Sequence, residues 1–254
     1  TDYGYKSNKT GFSVGSGFEF YDDLYWNTGI SSYIDKLETN SSASATMKKQ
    51  EGSYFDTFFN QTFSYDKRNQ RYKTTDGFIS RFTQNIPIIS DTYTLTNSYD
   101  YKTYNQWLGE NILSLGFYLK STNSLNGEDV KLSDRLYLPS SKLRGFESGK
   151  VGPKDGASFI GGNYLSSMNI ATTLPQVLPS LQNTNFSLFF DAANIWGIDY
   201  SSTLSDESKI RSSIGIGVDF YTPIGPLNFS LSEPITKGNN DTVEVFRFNL
   251  GTTF

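Results

Sequence analysis

The chain has 254 residues and a formal net charge of −4, and it contains neither cysteine nor histidine. The absence of cysteine excludes disulfides and thiolate chemistry, and the absence of histidine excludes Ser-His-Asp triads and most zinc sites. The acidic balance gives no electrostatic support for nucleic-acid binding.

The composition favours a sheet protein with two unlike faces. Aromatic side chains make up 16% of the chain, although its mean hydropathy is −0.45. A chain that is polar on average yet rich in aromatics suits sheets with one wet face and one apolar face. No apolar run approaches the roughly 20 residues of a transmembrane helix. We therefore expect an all-β protein and exclude a helical membrane protein.

Alternation of apolar and polar residues begins near the N-terminus. Phe12, Val14 and Phe18 share one face of a strand, while Ser13 and Gly15 lie on the other. Side chains of a strand alternate between its faces, so this pattern predicts β-structure. The same reading predicts further strands at residues 24–34, 55–65, 78–86, 93–101, 113–119, 135–138, 163–172, 185–192, 209–221, 227–231 and 242–254. About twelve strands joined as up-and-down hairpins result.

A long polar loop at residues 140–162 interrupts this series. It carries the triplet Arg144-Gly145-Phe146 and several further glycines. A hairpin needs only about two to five connecting residues, so a loop of this length is either a surface excursion or a packed segment. Arginine offers directed hydrogen bonds, glycine permits close backbone approach, and phenylalanine supplies an apolar plug. The triplet therefore favours packing.

Two architectures fit the strand pattern. A soluble β-sandwich would bury its apolar stripes between sheets, whereas a membrane barrel would turn them toward lipid and line its lumen with the polar face. Charged residues on the polar faces, such as Asp56, Arg81 and Asp191, suit a wet lumen, but alternation alone leaves both open. The C-terminal strand ends on Phe254 at the last position. Such an ending resembles the signal that outer-membrane barrels present to their assembly machinery, which favours the transmembrane antiparallel β-barrel.

Several motifs in order resemble the BamA family of outer-membrane assembly barrels. Arg144-Gly145-Phe146, followed by Gly152-Pro153-Lys154, looks like the loop between the family's eleventh and twelfth strands. Phe190-Asp191 with Trp196 is similar to the family's strand with an aromatic-Asp pair. Further similar segments lie at residues 214–217, 221–227 and 246–254, and Asp66–Gly77 matches a turn of the family more loosely. Ala193 and Thr222 stand where the family usually has glycine and serine.

The resemblance implies a barrel of sixteen strands preceded by periplasmic POTRA domains. Residues 1–254 would form the C-terminal part of that single barrel domain, with about twelve strands. The first strand here matches the family's fifth, so we expect the POTRA domains and the first four strands to lie outside this chain.

The resemblance also assigns roles to individual residues. The loop would fold into the lumen, where Arg144 would pair with Asp191, and Asp191 and Phe190 would be the partners of the loop on the barrel wall. Gly145 would permit close passage, and Phe146 would pack against the wall. Family members work through a lateral seam between their first and last strands, and Phe246, Phe248, Gly251 and Phe254 would form the last strand and its signal. A glycine in a strand permits a bend, so Gly251 is a candidate hinge, although it also fits an ordinary packing position.

The implied function is insertion and folding of β-barrel proteins in the bacterial outer membrane. Its partners would be unfolded client barrels, periplasmic assembly lipoproteins and outer-membrane lipid. We expect no enzymatic activity, cofactor, metal or nucleic acid. The alternatives are a translocation or secretion pore of the same superfamily, a passive porin-like channel and a soluble β-sandwich binding module.

Overall fold

A computed structural model describes residues 3–71, 73–175, 183–206, 208–222 and 225–250. The first six strands precede the long loop, and the remainder lie within it or follow it. They are β1 (Tyr5–Tyr21), β2 (Leu24–Thr39), β3 (Gly52–Asp66), β4 (Gly77–Ser90), β5 (Thr94–Gln106), β6 (Ile112–Ser124), β7 (Gly145–Phe146), β8 (Lys154–Asp155), β9 (Ser158–Phe159), β10 (Tyr164–Thr173), β11 (Thr184–Trp196), β12 (Arg211–Thr222), β13 (Gly225–Thr236), β14 (Val243–Glu244) and β15 (Phe246–Leu250). The helical elements are α1 (Ala45–Lys48) and one 3-10 turn (Leu132–Asp134).

Eleven strands form one antiparallel sheet in the order β1-β2-β3-β4-β5-β6-β10-β11-β12-β13-β15. Each strand pairs with the next wall strand along the chain, which confirms the up-and-down topology. Within the described residues, β1 and β15 are the two edges of this sheet. The segment at 135–138 is not a wall strand, because its pairing is limited to one bridge between Leu136 and Gly162.

The sheet turns its apolar face outward. Phe12, Phe20 and Ile214 are 70%, 62% and 51% exposed, although each lies in the middle or end of a long strand. A sandwich would have buried these side chains between sheets, whereas a barrel in lipid leaves them on its outer surface. The structure therefore excludes the sandwich alternative and confirms the transmembrane barrel. No helix within the described residues is long and apolar enough to cross a membrane.

The connections at the two ends of the barrel wall differ in length. One end, which we call the turn end, carries residues 22–23, 67–76 and 107–111. The opposite end, the loop end, carries residues 40–51 and the 39-residue connection at 125–163, which we call the luminal loop. β4 extends to Ser90, beyond the predicted strand at 78–86, because it continues through a bulge next to Pro87; the β4–β5 turn therefore lies at residues 91–93.

The buried apolar core lies inside the wall, where the luminal loop packs. One cluster joins the loop to the inner faces of β10 and β11. A second joins it to β2 and the loops at the loop end. The main members of the two clusters are Leu138, Leu143, Phe146, Val151, Leu165 and Ile195 in the first, and Leu37, Met47, Leu132 and Ile160 in the second.

Candidate functional site: the luminal loop and the last strand

Four cationic side chains of the luminal loop each meet an acid of the wall or of a neighbouring loop. Lys131 and Arg135 lie in the first part of the luminal loop, and Lys142 and Arg144 lie deeper. The acids come from β2, β3, β5, β11 and the β11–β12 connection. The pairs are Lys131 with Asp56 and Asp35, Arg135 with Asp199, Lys142 with Asp100, and Arg144 with Asp191. The loop is thus held at points that range from β2 to β11 across the sheet.

Lys131 is buried, with 3% of its side chain exposed, and lies outside the membrane-spanning strands. Burial opposes the charge of its amine, but the nearby carboxylates of Asp134 and Asp56 outweigh that cost and raise its pKa. Its Nζ atom lies 3.2 Å from Asp134 Oδ2 and 3.6 Å from Asp35 Oδ2. The amine therefore stays charged at neutral pH and fixes the start of the loop to β2 and β3.

Arg144 and Asp191 form a bidentate ion pair against the inner wall. Arg144 Nε donates to Asp191 Oδ2 at 2.7 Å, and Arg144 Nη2 donates to Oδ1 at 2.8 Å. The backbone N–H of Arg144 also donates to Oδ2 at 3.1 Å, and Asn169 Nδ2 donates to Oδ1 at 2.8 Å. The Asp191 carboxylate is fully buried, so these four donors replace the water that it loses.

The aromatic neighbour of this pair is Phe189. The guanidinium carbon of Arg144 lies 3.4 Å from the centroid of the Phe189 ring, a cation–π contact. The prediction that Phe190 is the loop's partner on the wall is wrong. Successive side chains of a strand point to opposite faces, so Phe190 lies on the outward side with exposed Leu188, whereas Phe189 shares the inner face with Asp191.

Gly145 passes close to the wall at a point where an added side chain would be strained and tightly packed. Its φ of +87° lies in the left-handed region, and an added Cβ would meet the Cβ atoms of Ser232 and Ser213 at 3.1 and 3.2 Å. Ser213 Oγ donates to the carbonyl oxygen of Arg144 at 2.5 Å, which fixes the backbone at this point. Phe146, with 1% of its surface exposed, fills the apolar cluster beside β10 and β11.

The triplet also pairs with the chain just before the last wall strand. Gly145 and Phe146 form β7, whose antiparallel partner is β14, with Phe146 opposite Val243 and Gly145 opposite Glu244. The pairing extends beyond these residues, because Glu147 N–H donates to the Thr242 carbonyl at 2.9 Å. The luminal loop is therefore bonded both to the wall at Asp191 and to the segment that leads into β15.

The predicted continuous strand at 242–254 is therefore divided. Val243 and Glu244 pair with the loop, and the chain joins the wall at Phe246, opposite Leu231 of β13. Val245 lies at the junction, where its carbonyl accepts a hydrogen bond from Ser232 N–H at 2.8 Å.

The sequence of β13 explains where the division falls. If the pairing of Leu231 with Phe246 continued, Glu244 would face Glu233 and Val243 would face Pro234. Like charges directly opposite are destabilising. Ser232 directs its N–H toward this edge, so residue 234 would direct its N–H the same way, but proline has none. β13 thus offers a poor partner to Val243–Glu244, and the loop offers a better one.

Arg247 ties the last strand back to the loop. Its Nη2 atom donates to the carbonyl oxygen of Phe146 at 3.0 Å, and its guanidinium pairs with Glu244. Phe246 and Phe248 point outward and are 58% and 51% exposed. Gly251 and Phe254 lie outside the described residues, so the hinge and the terminal signal stay predictions.

Sequence reasoning missed most of the charged contacts that hold the loop. One further pair, Arg211 with Asp241, is fully buried, and Asp241 also accepts from Gly152 N–H at 3.1 Å. Alternation could have identified Asp35 as inward-facing, as it did Asp56 and Asp191. Pairs between two loops carry no periodic signal. Among the described residues, no group of three or more acidic side chains is arranged to hold a metal ion.

A family model described as the Omp85 superfamily domain matches residues 1–254. The chain belongs to the Omp85 superfamily. This assignment agrees with an antiparallel barrel wall that holds a long loop inside it.

Relatives of this Omp85 chain include proteins from bacteria and from yeast. The outer membrane protein assembly factor BamA of Neorickettsia risticii is 22% identical over 257 residues, which cover 98% of this chain and 34% of the relative. The sorting assembly machinery 50 kDa subunit of Saccharomyces cerevisiae is 25% identical over 224 residues, which cover 83% of this chain and 46% of the relative. The Omp85 chain thus spans about a third to a half of the length of these relatives.

Two solved structures share the barrel. The crystal structure of BamA from Haemophilus ducreyi lacking POTRA domains 1–3 matches with a TM-score of 0.81 and 25% identity, over 96% of this chain and 54% of that one. CdiB from Acinetobacter baumannii matches with a TM-score of 0.62 and 12% identity, over 97% of this chain and 42% of that one, which shows a shared fold. The resemblance to the BamA barrel that the motifs predicted is confirmed.

Proposed function

We propose that this Omp85 chain is the C-terminal barrel portion of a subunit that inserts and folds β-barrel proteins in the bacterial outer membrane. The observation that carries the proposal is the divided last strand, whose first part pairs with the loop instead of the wall. The names of the relatives support it, because both the bacterial and the yeast protein are named for assembly or sorting machinery.

The divided strand leaves hydrogen-bonding groups available at the seam. Beyond Ser232, the last four residues of β13 (233–236) have no wall partner on this side within the described residues. Unpaired N–H and C=O groups are unfavourable in a membrane, where water cannot satisfy them. A client strand that pairs with such an edge by β-augmentation removes this cost. The client leaves once its own barrel closes, so its folding supplies the free energy.

The luminal loop would set how far the seam opens. Arg144 is bonded to the wall at Asp191, and the next two residues hold Val243–Glu244 away from β13. Loss of the ion pair would release the loop and, with it, the start of the last strand. In this mechanism the loop is a brace, and the working edge is the last strand. Periplasmic lipoproteins and outer-membrane lipid are the further partners that we propose.

Site-specific photo-crosslinking tests the proposal in the full-length protein. A photoreactive residue at Val245 or Asn249, next to the seam, is expected to capture a stalled client barrel. The same residue at Phe117, which is exposed on the outer wall in β6, five strands away from β15, is the control and is expected to capture none. Capture only at the loops, or equally at Phe117, would contradict the seam. A passive channel would show steady conductance that is unchanged by substitution of Arg144.

A further inference from the structure

The turn-end half of the lumen contains a second feature, a cavity of about 500 Å³ below the luminal loop. Its walls are the inner faces of β4, β5, β6 and β10–β13, and Lys142 and Arg144 of the loop close it on one side. The β3–β4 turn reaches across it, because Lys73 Nζ lies 4.5 Å from the centroid of the Tyr221 ring of β12. We call this space the luminal chamber.

The lining of the luminal chamber is strongly cationic, although the chain as a whole carries a net charge of −4. Two carboxylates, Asp100 and Asp219, line it, and two more, Asp66 and Asp191, pair with its arginines. Seven cationic side chains line it: Arg68, Arg71, Lys73, Arg81, Lys102, Lys142 and Arg144. One-to-one matching with all four carboxylates still leaves an excess of three positive charges.

An excess of one charge sign inside a cleft attracts the opposite sign. Low-dielectric walls focus the field of the lining charges and raise the local concentration of counter-ions. The cavity size lies within the range of about 300–1,000 Å³ that is usual for binding sites. The chamber therefore has both the charge and the volume for an anionic ligand.

The cations are arranged in levels along the wall instead of around one point. Arg81 lies opposite Asp100 in the strand register, and Asp100 Oδ2 lies 3.0 Å from Lys142 Nζ. Lys102 lies one level nearer the turn end, opposite Ile79, and the cations of the β3–β4 turn lie beyond it. Each level is two residues of strand, about 6.6–6.8 Å. A small anion can reach one level only.

An extended polypeptide has the matching repeat. Its side chains at positions i and i+2 point the same way and are also about 6.6–6.8 Å apart. Carboxylates at alternate positions would therefore meet successive cationic levels, with charge-assisted hydrogen bonds from arginine. We propose that the luminal chamber binds a segment of extended polypeptide that carries acidic residues at alternate positions. The chamber cations Arg71, Lys73 and Arg81 take no part in the seam or in the Arg144–Asp191 pair, so the inference can be tested independently of the proposed function.

Calorimetric titration of the full-length protein in detergent micelles tests the chamber. The probe is a blocked Glu-Ser-Glu-Ser-Glu peptide, and Gln-Ser-Gln-Ser-Gln and inorganic phosphate are the comparison ligands. We expect the acidic peptide to bind and its affinity to fall as salt is raised, whereas the neutral peptide does not bind. The double substitution Arg71→Gln/Arg81→Gln should weaken binding by about tenfold or more, because it removes two charge-assisted contacts.

A matched control removes the same charge elsewhere. Lys36→Gln/Lys48→Gln alters two cations toward the loop end, of which Lys36 is exposed and pairs with Glu38. This variant should bind the acidic peptide as the parent protein does. Lys73→Gln, a change in a turn, provides a second chamber variant with an effect in the same direction if the double variant does not fold.

Three results would overturn the inference. The acidic and neutral peptides could bind equally, the control variant could lose as much affinity as the chamber variants, or phosphate could compete at the same concentration as the peptide. The last result would identify a site for any small anion and not for an extended acidic chain. None of these readouts uses barrel insertion, so failure here is separable from failure of the seam.

Discussion

Exchange of the charges of Arg144 and Asp191 is the most direct test of how the luminal loop is held. Arg144→Asp and Asp191→Arg each place two like charges at a point where the parent protein has a bidentate pair. Each single variant should be destabilised, and the double variant should recover part of the loss. Recovery is incomplete because the cation–π contact with Phe189 and the hydrogen bond from the Arg144 backbone both depend on the original arrangement.

The size of the effect follows from burial. The Asp191 side chain is fully buried and that of Arg144 is 9% exposed, so a partner left alone stays largely unsolvated. Removal of one member of such a pair costs on the order of 3–5 kcal/mol. The Lys142–Asp100 pair is a built-in control, since its side chains are 21% and 35% exposed. Loss of that pair should cost about 0.2–1 kcal/mol.

These differences in stability can be measured by urea unfolding of the full-length barrel. The folded fraction is monitored by the shift in electrophoretic mobility that the barrel shows on heating. A coupling free energy between the two positions is expected in the Arg144 and Asp191 variants. Defects that simply add would refute the pairing as the source of stability. A loss on Lys142→Ala as large as that on Arg144→Ala would refute the argument from burial.

Two further predictions concern the triplet and the last strand. Gly145→Ala should destabilise the barrel more than Gly127→Ala. Both glycines have positive φ, so both variants carry backbone strain, but of the two only Gly145 has wall atoms within contact distance of an added Cβ. Urea unfolding of the two variants measures the difference, and equal losses of stability would contradict the close approach of Gly145 to the wall. A cysteine at Thr242 should form a disulfide with a cysteine at Glu147, which lies opposite Thr242 on the loop. It should not form one with a cysteine at Ile235, which would lie opposite Thr242 only if the wall pairing continued. The chain has no cysteine of its own, so non-reducing electrophoresis shows which disulfide forms, and preferential bonding to Ile235→Cys would show that the last strand is continuous.

The sequence alone predicts most of the wall of this barrel. Alternation of side chains is a local property, so the positions of the strands and the inward direction of residues such as Asp56 and Asp191 can be read from the chain. The same rule would have identified Phe189 in place of Phe190, since Phe189 shares the face of Asp191. Motif resemblance added the family and the pairing of Arg144 with Asp191, which no local pattern specifies.

Tertiary structure alone decided how the last strand ends and what the lumen holds. Val243 and Glu244 alternate as a strand should, yet they pair with Gly145–Phe146, since the choice between two partners depends on Glu233 and Pro234 across the sheet. The luminal chamber likewise collects cations from a turn, two strands and a loop that are far apart in the sequence. Periodicity fixes the face on which a residue lies, whereas the free energies of competing contacts between distant segments fix its partner.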